Sequence, residues 1–462
     1  MIFQRKLSTL ILCASALVAA LPCSASSRQK QSDNGGISTQ MLERIQSGYA
    51  ETASDKAIRN ALNAAPVAAL SANAENLAMI DTEFSDRVET IGITNQKSSG
   101  RCWLFSGLNV LRAEAIKEHG LGDFQFSQNY LFFYDQLEKS NLFLQAVIDT
   151  RDKEFSDREV DWLFSNPLSD GGTWTGAANL VHKYGVVPAD AMPETYSANN
   201  TSGWTSILRK VLRQDGLKLR EGKKSAAQLQ KMKEEMLSEV YRILCLTLGN
   251  PPTEFTFKGE TYTPKSFAAK YVKANLDGGY VLLMNDPSRP YYKTYEIAYD
   301  RHLYDGDNWL YLNLPIEEIK PMAIASIKAG KAMYFSCDVG KFLNRTTGVA
   351  DLNNFDYESL FGVKLTMDKS QRVLTHDSGS SHAMTLIAVN VLPDGSTDKW
   401  MVENSWGPSS GYKGNIIMTD EWFNEYMFRL VVEKQFVPEN LQKYLDQKPI
   451  QLPAWDPMFL DD

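Results

Sequence analysis

A cysteine stands where a polar turn meets an apolar helical repeat, in the segment Gln96–Phe105. The turn residues Ser98, Ser99 and Gly100 precede Arg101 and Cys102, and apolar residues then recur at helical spacing: Leu104, Phe105, Leu108, Leu111 and Ala115. This spacing predicts a helix that begins at the cysteine. The first turn of a helix offers unpaired N–H groups and the positive end of the helix dipole, which lower the pKa of a thiol. The pattern favours a nucleophile, but a buried structural cysteine would look the same locally.

Partners for such a thiol lie about 280 residues further on. His382 begins an apolar run through Val389, which predicts a buried strand, and Asn404 is followed by Ser405, Trp406 and Gly407. A nucleophilic thiol needs a base within hydrogen-bond reach, and that base needs a group that orients its other nitrogen. We therefore predict Cys102 as nucleophile, His382 as base and Asn404 as orienting group, with Trp406 keeping water from the hydrogen bond between them. The side-chain amide of Gln96 is the predicted oxyanion donor.

His376 is the rival base, six residues before His382. It stands among Thr375, Asp377 and Ser378, a composition that predicts a loop. A general base must be held in a fixed position, so His382 is preferred. A lone histidine in an apolar strand is more often a core residue than a catalyst, but cysteine, histidine and asparagine in this order and setting favour the catalytic interpretation.

These segments resemble the papain-like cysteine peptidases, and within them the bleomycin hydrolase/aminopeptidase C branch. The resemblance extends from about residue 85 to the C-terminus and includes residues 127–133, 171–174, 183–188, 337–341 and 452–458. It implies an α+β, two-lobed fold: a helical lobe, an antiparallel β-barrel-like lobe and a helical insertion. It also implies a cysteine aminopeptidase that acts at the N-terminus of peptides through a thioester and needs no cofactor. A papain-like endopeptidase with an open cleft is the alternative, and a non-enzymatic binding protein on the same fold is disfavoured because all four site residues are present.

The domain boundaries follow composition and the resemblance together. Residues 1–25 read as a signal peptide, with a basic head, an apolar core and small residues at Cys23–Ala25. Residues 26–85 form an N-terminal extension, partly disordered because it begins Ser/Gln/Asn/Gly-rich. The helical lobe spans 86–193, the insertion 194–275 and the β-rich lobe 276–440. Residues 441–462 form a C-terminal tail that reaches the active-site cleft.

The tail departs from the family pattern at its end. Relatives commonly finish in small apolar residues after the Trp-Asp-Pro-Met segment, whereas this chain finishes Phe459-Leu460-Asp461-Asp462. In the family the tail blocks the cleft beyond the first substrate residue. We therefore expect the terminal carboxylate, with Asp461 and Asp462, to bind the substrate ammonium group. The alternative is a frayed terminus without a function.

Charge and cysteine content bear on partners and location. Removal of residues 1–25 takes away Arg5 and Lys6 and leaves 46 basic against 56 acidic side chains, a net charge of −10. Nucleic-acid binding is not expected of so acidic a chain, since phosphate recognition depends on clustered Lys and Arg. Only three cysteines would then remain: Cys102, Cys245 and Cys337. Three cysteines do not make a disulfide framework, and we expect Cys245 and Cys337 to be buried free thiols. We expect no membrane segment after signal removal, no metal site, a location in a bacterial periplasm and, from the resemblance alone, a homohexameric ring.

Overall fold

The computed structural model describes residues 35–76 and 81–459. The expected signal peptide and the two terminal aspartates, Asp461 and Asp462, lie outside these residues. The chain divides into two units, residues 1–66 and 67–462. Within the described residues, no helix combines the length and apolar character needed to cross a membrane.

The described part of the first unit contains helices α1 (Thr39–Ser47) and α2 (Ala53–Leu62). The start of the N-terminal extension, where the composition predicts disorder, lies outside the described residues. Helix α1 forms because Ser38 caps it, accepting a bond from the Met41 N–H at 3.2 Å. A reciprocal capping box between Thr52 and Asp55 starts α2. The break predicted at Pro66 lies between α2 and the next helix.

The helical lobe follows the predicted helices closely. The second unit begins with α3 (Val67–Leu70), β1 (Asp86–Arg87), α4 (Cys102–His119), α5 (Gln128–Asp149), α6 (Arg158–Ser165) and α7 (Trp174–Tyr184). Cys102 is the first residue of α4, and Gly120 ends that helix in the left-handed conformation with φ +58°. Ser127 caps α5 as predicted, its Oγ accepting from the Tyr130 N–H at 3.1 Å. The sequence did not indicate α6.

The insertion contains α8 (Ser202–Arg220), α9 (Ala226–Leu248), the hairpin β2 (Phe255–Phe257) and β3 (Glu260–Tyr262), and α10 (Pro264–Tyr271). Helical periodicity in the sequence predicts a helix over Ala226–Leu248, and α9 has these bounds. It also predicts a helix over 205–214; α8 begins three residues earlier and continues further because buried apolar residues extend as far as Leu219. Both α8 and α9 pack on α5, so the insertion extends the core of the helical lobe.

The β-rich lobe contains strands β4 to β14 and helices α11 to α15. They are β4 (Tyr280–Met284), β5 (Lys293–Ile297), β6 (Leu310–Asn313), α11 (Ile316–Lys328), β7 (Met333–Cys337), β8 (Leu343–Asn344), β9 (Val349–Ala350), α12 (Tyr357–Phe361), α13 (Lys369–Leu374), β10 (His382–Val391), β11 (Thr397–Glu403), β12 (Asn415–Thr419), α14 (Asp420–Tyr426), β13 (Met427–Glu433), α15 (Glu439–Gln442) and β14 (Ile450–Leu452).

In the described part of the chain these strands form one sheet, ordered β14-β5-β6-β4-β13-β7-β10-β11-β12-β9-β8, with β1 paired to β10. Most neighbours are antiparallel, but β14/β5, β4/β6 and β12/β9 are parallel. The α+β class is therefore confirmed, with a mixed sheet where the expectation was antiparallel. Apolar runs in the sequence predict seven of the strands, β4, β6, β7, β10, β11, β12 and β13, but not short ones such as β5 and β14.

The packing of α4 on the sheet brings the predicted site residues to one place. Helix α4 contacts β10 and β7, and His382, the first residue of β10, lies opposite Cys337 in the β7–β10 register. Asn404 follows the last residue of β11, the other neighbour of β10. The thiol, the imidazole and the amide therefore come from three elements that meet where α4 begins.

Candidate active site

Cys102 is held at the start of α4 with its side chain 5% exposed. Its neighbours Trp103 and Leu104 are fully buried, which fixes the start of the helix in the core. The backbone N–H of Ala383 donates to Cys102 Sγ at 3.5 Å. The sulfur therefore lies against the strand residue that directly follows His382, at the positive end of the α4 dipole.

His382 and Asn404 form a buried hydrogen-bonded pair. His382 Nε2 and Asn404 Oδ1 are 2.8 Å apart, and the Ser405 N–H donates to the same Oδ1 at 2.8 Å. The bond from Ser405 identifies that atom as an acceptor, so Nε2 carries the hydrogen that points to it. In the neutral ring this leaves Nδ1 as the basic nitrogen.

The pKa of His382 is lowered to about 4, chiefly by burial; the bond to Asn404 raises it and the positive charge of Arg345 lowers it. At neutral pH the imidazole is accordingly uncharged. Formation of the thiolate then requires proton transfer to Nδ1.

Trp406 lies against this pair. Its ring centroid is 4.9 Å from that of His382, with 33° between the planes, and the guanidinium carbon of Arg345 is 4.9 Å from the Trp406 centroid. The indole covers the imidazole as predicted for a residue that keeps water from the His382–Asn404 bond.

Gln96 is buried and its amide is oriented by two hydrogen bonds. Oε1 accepts from Ser405 Oγ at 2.6 Å, and Nε2 donates to the Ser99 carbonyl at 2.7 Å. The second Nε2 hydrogen remains for an oxyanion. Ser405 was missed as a functional residue, although its place between Asn404 and Trp406 was a usable signal.

A buried arginine holds the turn between Gln96 and Cys102. Arg101 is fully buried, makes a bidentate ion pair with Glu194 at 2.8 and 3.0 Å, and donates from Nε to Ser99 Oγ at 2.9 Å. Bidentate pairs fix geometry as well as charge. The partner, 93 residues away along the chain, gave no signal in the sequence.

A second buried network, also missed, fixes residues 169–173 beside the nucleophile. His302 Nδ1 is 2.5 Å from Asp135 Oδ1, Nε2 accepts from the Thr173 N–H at 3.4 Å, and the ring lies 4.5 Å from that of Trp103. Lys139 pairs with Asp135 at 3.0 Å and donates to the carbonyls of Ser169 and Gly171. Burial lowers the pKa of His302, consistent with a neutral ring that accepts at Nε2.

The tail runs from the edge of the sheet towards the same segment. Asp456 pairs with Arg289 at 3.1 and 3.2 Å, and the buried Arg429 donates to the Met458 carbonyl. Phe459 lies edge-on to Trp162, with centroids 5.1 Å apart, in a cavity whose wall includes residues 171–172. The predicted substrate-binding residues Asp461 and Asp462 lie beyond the described chain.

His376 and Cys245 are not drawn into this cluster, whereas Cys337 lies opposite His382 in the β7–β10 register. His376 is exposed in the turn after α13, with φ +59°. Cys337 is a buried free thiol whose pKa is raised by burial, whereas Cys245 is only half-buried, because its helix α9 lies near the surface there. Among the described residues, no group of three or more His, Cys, Asp or Glu side chains is arranged to hold a metal ion.

A thiol at a helix start beside a histidine–asparagine pair on an adjoining sheet is the arrangement of a papain-like cysteine peptidase. The profile of the Peptidase C1-like family matches residues 36–459, and the chain belongs to that family. It is 43% identical to bleomycin hydrolase of Homo sapiens, over 79% of this chain and 85% of that protein. It is 38% identical to aminopeptidase C of Lactobacillus delbrueckii subsp. lactis, over 82% of this chain and 88% of that protein. The crystal structure of PepW from Lactobacillus rhamnosis superposes with a TM-score of 0.87 at 36% identity, covering 92% of this chain and 99% of that one.

Proposed function

We propose that this chain is a cysteine aminopeptidase that hydrolyses peptide bonds at the N-terminus of peptides through a thioester on Cys102. The observation that carries the proposal is the placement of Cys102 Sγ at the start of α4, 3.5 Å from the Ala383 N–H and beside the His382–Asn404 pair. Relatives named bleomycin hydrolase and aminopeptidase C support exopeptidase action in particular.

In the proposed reaction, Nδ1 of His382 takes the proton of Cys102 as the sulfur attacks the carbonyl carbon. The oxyanion that develops is stabilised by Gln96 Nε2 and the Cys102 backbone N–H. His382 returns the proton to the leaving nitrogen, the C–N bond breaks, and a thioester remains. Water deprotonated by His382 then attacks the thioester carbonyl, the C–S bond breaks, the acid is released, and His382 returns the proton to the Cys102 sulfur. Asn404 keeps the imidazole in one orientation throughout.

Restriction to the N-terminus is assigned to the tail. The Asp456–Arg289 pair and the Arg429–Met458 contact hold it in place, and Phe459 lies in the cavity beside residues 171–172. We assign to the terminal carboxylate of the tail, with Asp461 and Asp462, the binding of the substrate ammonium group.

The test compares two peptides of one sequence, one with a free N-terminus and one acetylated. An aminopeptidase cleaves only the free peptide, releasing its first residue, and deletion of residues 459–462 increases cleavage of the acetylated one. Internal cleavage of the acetylated peptide by the intact protein would favour the open-cleft endopeptidase instead.

Location and assembly belong to the same proposal. The composition of residues 1–25 supports export, and the small number of cysteines supports a bacterial periplasm as the destination. The test is whether an osmotic-shock fraction contains the protein in a form that lacks about these 25 residues. The family resemblance supports a homohexamer, which sedimentation of the purified protein tests. We propose peptides as the substrates of this protein and do not expect it to bind nucleic acid.

A further inference from the structure

Arg345 is a cation beside the catalytic pair that takes no part in the proposed reaction. It lies in the turn between β8 and β9, its side chain is exposed, and its guanidinium carbon is 4.9 Å from the centroid of Trp406. Within the part of the chain that the structure describes, no carboxylate forms an ion pair with it. An exposed arginine stacked on an aromatic ring keeps its donors for a ligand.

The turn that carries Arg345 is held by its own hydrogen bonds. Asn344 Oδ1 accepts from the N–H groups of Thr346 and Thr347 at 3.1 and 3.2 Å, and the Asn344 carbonyl accepts from Gly348 at 2.9 Å. Gly348 has φ +74°, and a Cβ there would meet the Tyr412 nitrogen at 2.2 Å, so the turn is closely packed. The backbone that carries Arg345 is therefore held in a fixed position.

The position of Arg345 relates it to the leaving half of the substrate. The leaving nitrogen must reach Nδ1 of His382, and the imidazole is covered by Trp406 at 4.9 Å. Arg345 stacks on that same indole, so its guanidinium lies no further from the imidazole than twice this separation. An extended chain advances about 3.3–3.6 Å per residue, so within this upper limit a carboxylate two or three residues beyond the cleaved bond is in reach of the guanidinium.

We infer that Arg345 is a specificity-determining residue that binds a carboxylate carried two or three residues beyond the cleaved bond, on the leaving side. The inference rests on the proposed function and adds a substrate class: short peptides whose own C-terminal carboxylate falls there, or longer peptides with Asp or Glu at that position. Arginine suits this role because its planar donors match a carboxylate in a bidentate manner. The positive charge of Arg345 also lowers the pKa of His382.

The experiment measures kcat/KM for matched peptides with free N-termini. One arm compares Ala-Ala-Asp-Ala amide with Ala-Ala-Asn-Ala amide, which places the carboxylate two residues beyond the cleaved bond. The other compares Ala-Ala-Ala-Ala as free acid and as amide, which places it three residues beyond that bond. We expect the carboxylate form to be preferred about three- to tenfold in at least one arm, with the preference weakening as salt is added. Arg345→Gln should abolish the preference and Arg345→Glu should reverse it, whereas Lys328→Gln, at an exposed cation on α11, should leave it unchanged.

Equal rates for the two members of each pair in the wild-type protein, or a preference that survives in Arg345→Gln, would overturn the assignment. The proposed function would survive that result as long as the amide peptides are cleaved. It would fail only if no peptide with a free N-terminus were hydrolysed. Alkylation of Cys102 by iodoacetamide checks that each variant retains a folded site, and loss of the positive charge in Arg345→Gln should move the acid limb of kcat/KM to higher pH.

Discussion

Replacement of Gln96 by alanine tests the proposed oxyanion site most quantitatively. The side chain makes two hydrogen bonds in the resting site, to Ser99 O at 2.7 Å and Ser405 Oγ at 2.6 Å, and has one amide hydrogen left for substrate. Loss of one oxyanion donor typically costs about 2.7–4 kcal/mol, or about 10²–10³-fold in kcat. We expect Gln96→Ala to show a loss of this size with a small change in KM, because the contact strengthens only as charge develops.

Ser405→Ala is the matched control, because it removes the bond that orients Gln96 but leaves the donor. A neutral hydrogen bond contributes about 0.5–1.5 kcal/mol, so this variant should lose only about 2- to 13-fold in kcat. The assay is steady-state hydrolysis of a free-amine peptide, with the rate of Cys102 alkylation as a measure of an intact nucleophile. If Gln96→Ala were no more impaired than Ser405→Ala, or if it lost alkylation together with hydrolysis, Gln96 would not be the oxyanion donor.

Three further predictions follow from the same site. His382→Ala should be as inactive as a variant without the nucleophile, whereas Asn404→Ala retains more activity; loss in His376→Ala with full activity in His382→Ala would contradict the choice of base. Deletion of Phe459–Asp462 should lower the preference for free over acetylated peptides by about 1–3 kcal/mol, and an unchanged kcat/KM ratio would exclude the tail from specificity. Burial is the main reason why the pKa of His382 falls from 6.5 to about 4 in the folded protein. Between these two pH values the unfolded state binds a proton that the folded state does not bind. The free energy of unfolding therefore decreases as the pH drops from 6.5 to 4, by about 3 kcal/mol at most. Urea unfolding of wild type and His382→Gln at pH 4.5 and 7 should show a larger loss in the wild type, because the buried His302 contributes equally in both. An equal loss in both would assign the effect to other groups.

The elements that carry the site residues could be predicted because each has a local signal. Helix α4 begins at Cys102 after a turn and continues as an apolar repeat, and α5 has a serine N-cap at the predicted residue. Strand β10 is a continuous apolar run that is buried on both faces. Strands β5 and β14 were missed because each is short and mixes polar with apolar residues, and is stabilised by its neighbours in the sheet.

The contacts that support the site could not be predicted, because they join residues far apart in the chain. Arg101 pairs with Glu194, and Asp135 pairs with His302, 167 residues later. Neither pair has a local motif, and only the packed fold brings the partners together. The same limit applies to the stacking of Arg345 on Trp406, since a short turn between two-residue strands carries no periodicity.

The central claim is that Cys102 forms the covalent intermediate, and mass spectrometry of an inhibited enzyme tests it most directly. A chloromethyl ketone of a single amino acid with a free amino group should inactivate the protein with one equivalent bound, and peptide mapping should locate the adduct on Cys102. His382→Ala should react far more slowly, while Cys245→Ala and Cys337→Ala react as the wild type does. Inactivation through Cys245 or Cys337 with Cys102 unmodified, or hydrolysis at the wild-type rate by Cys102→Ala, would contradict the account.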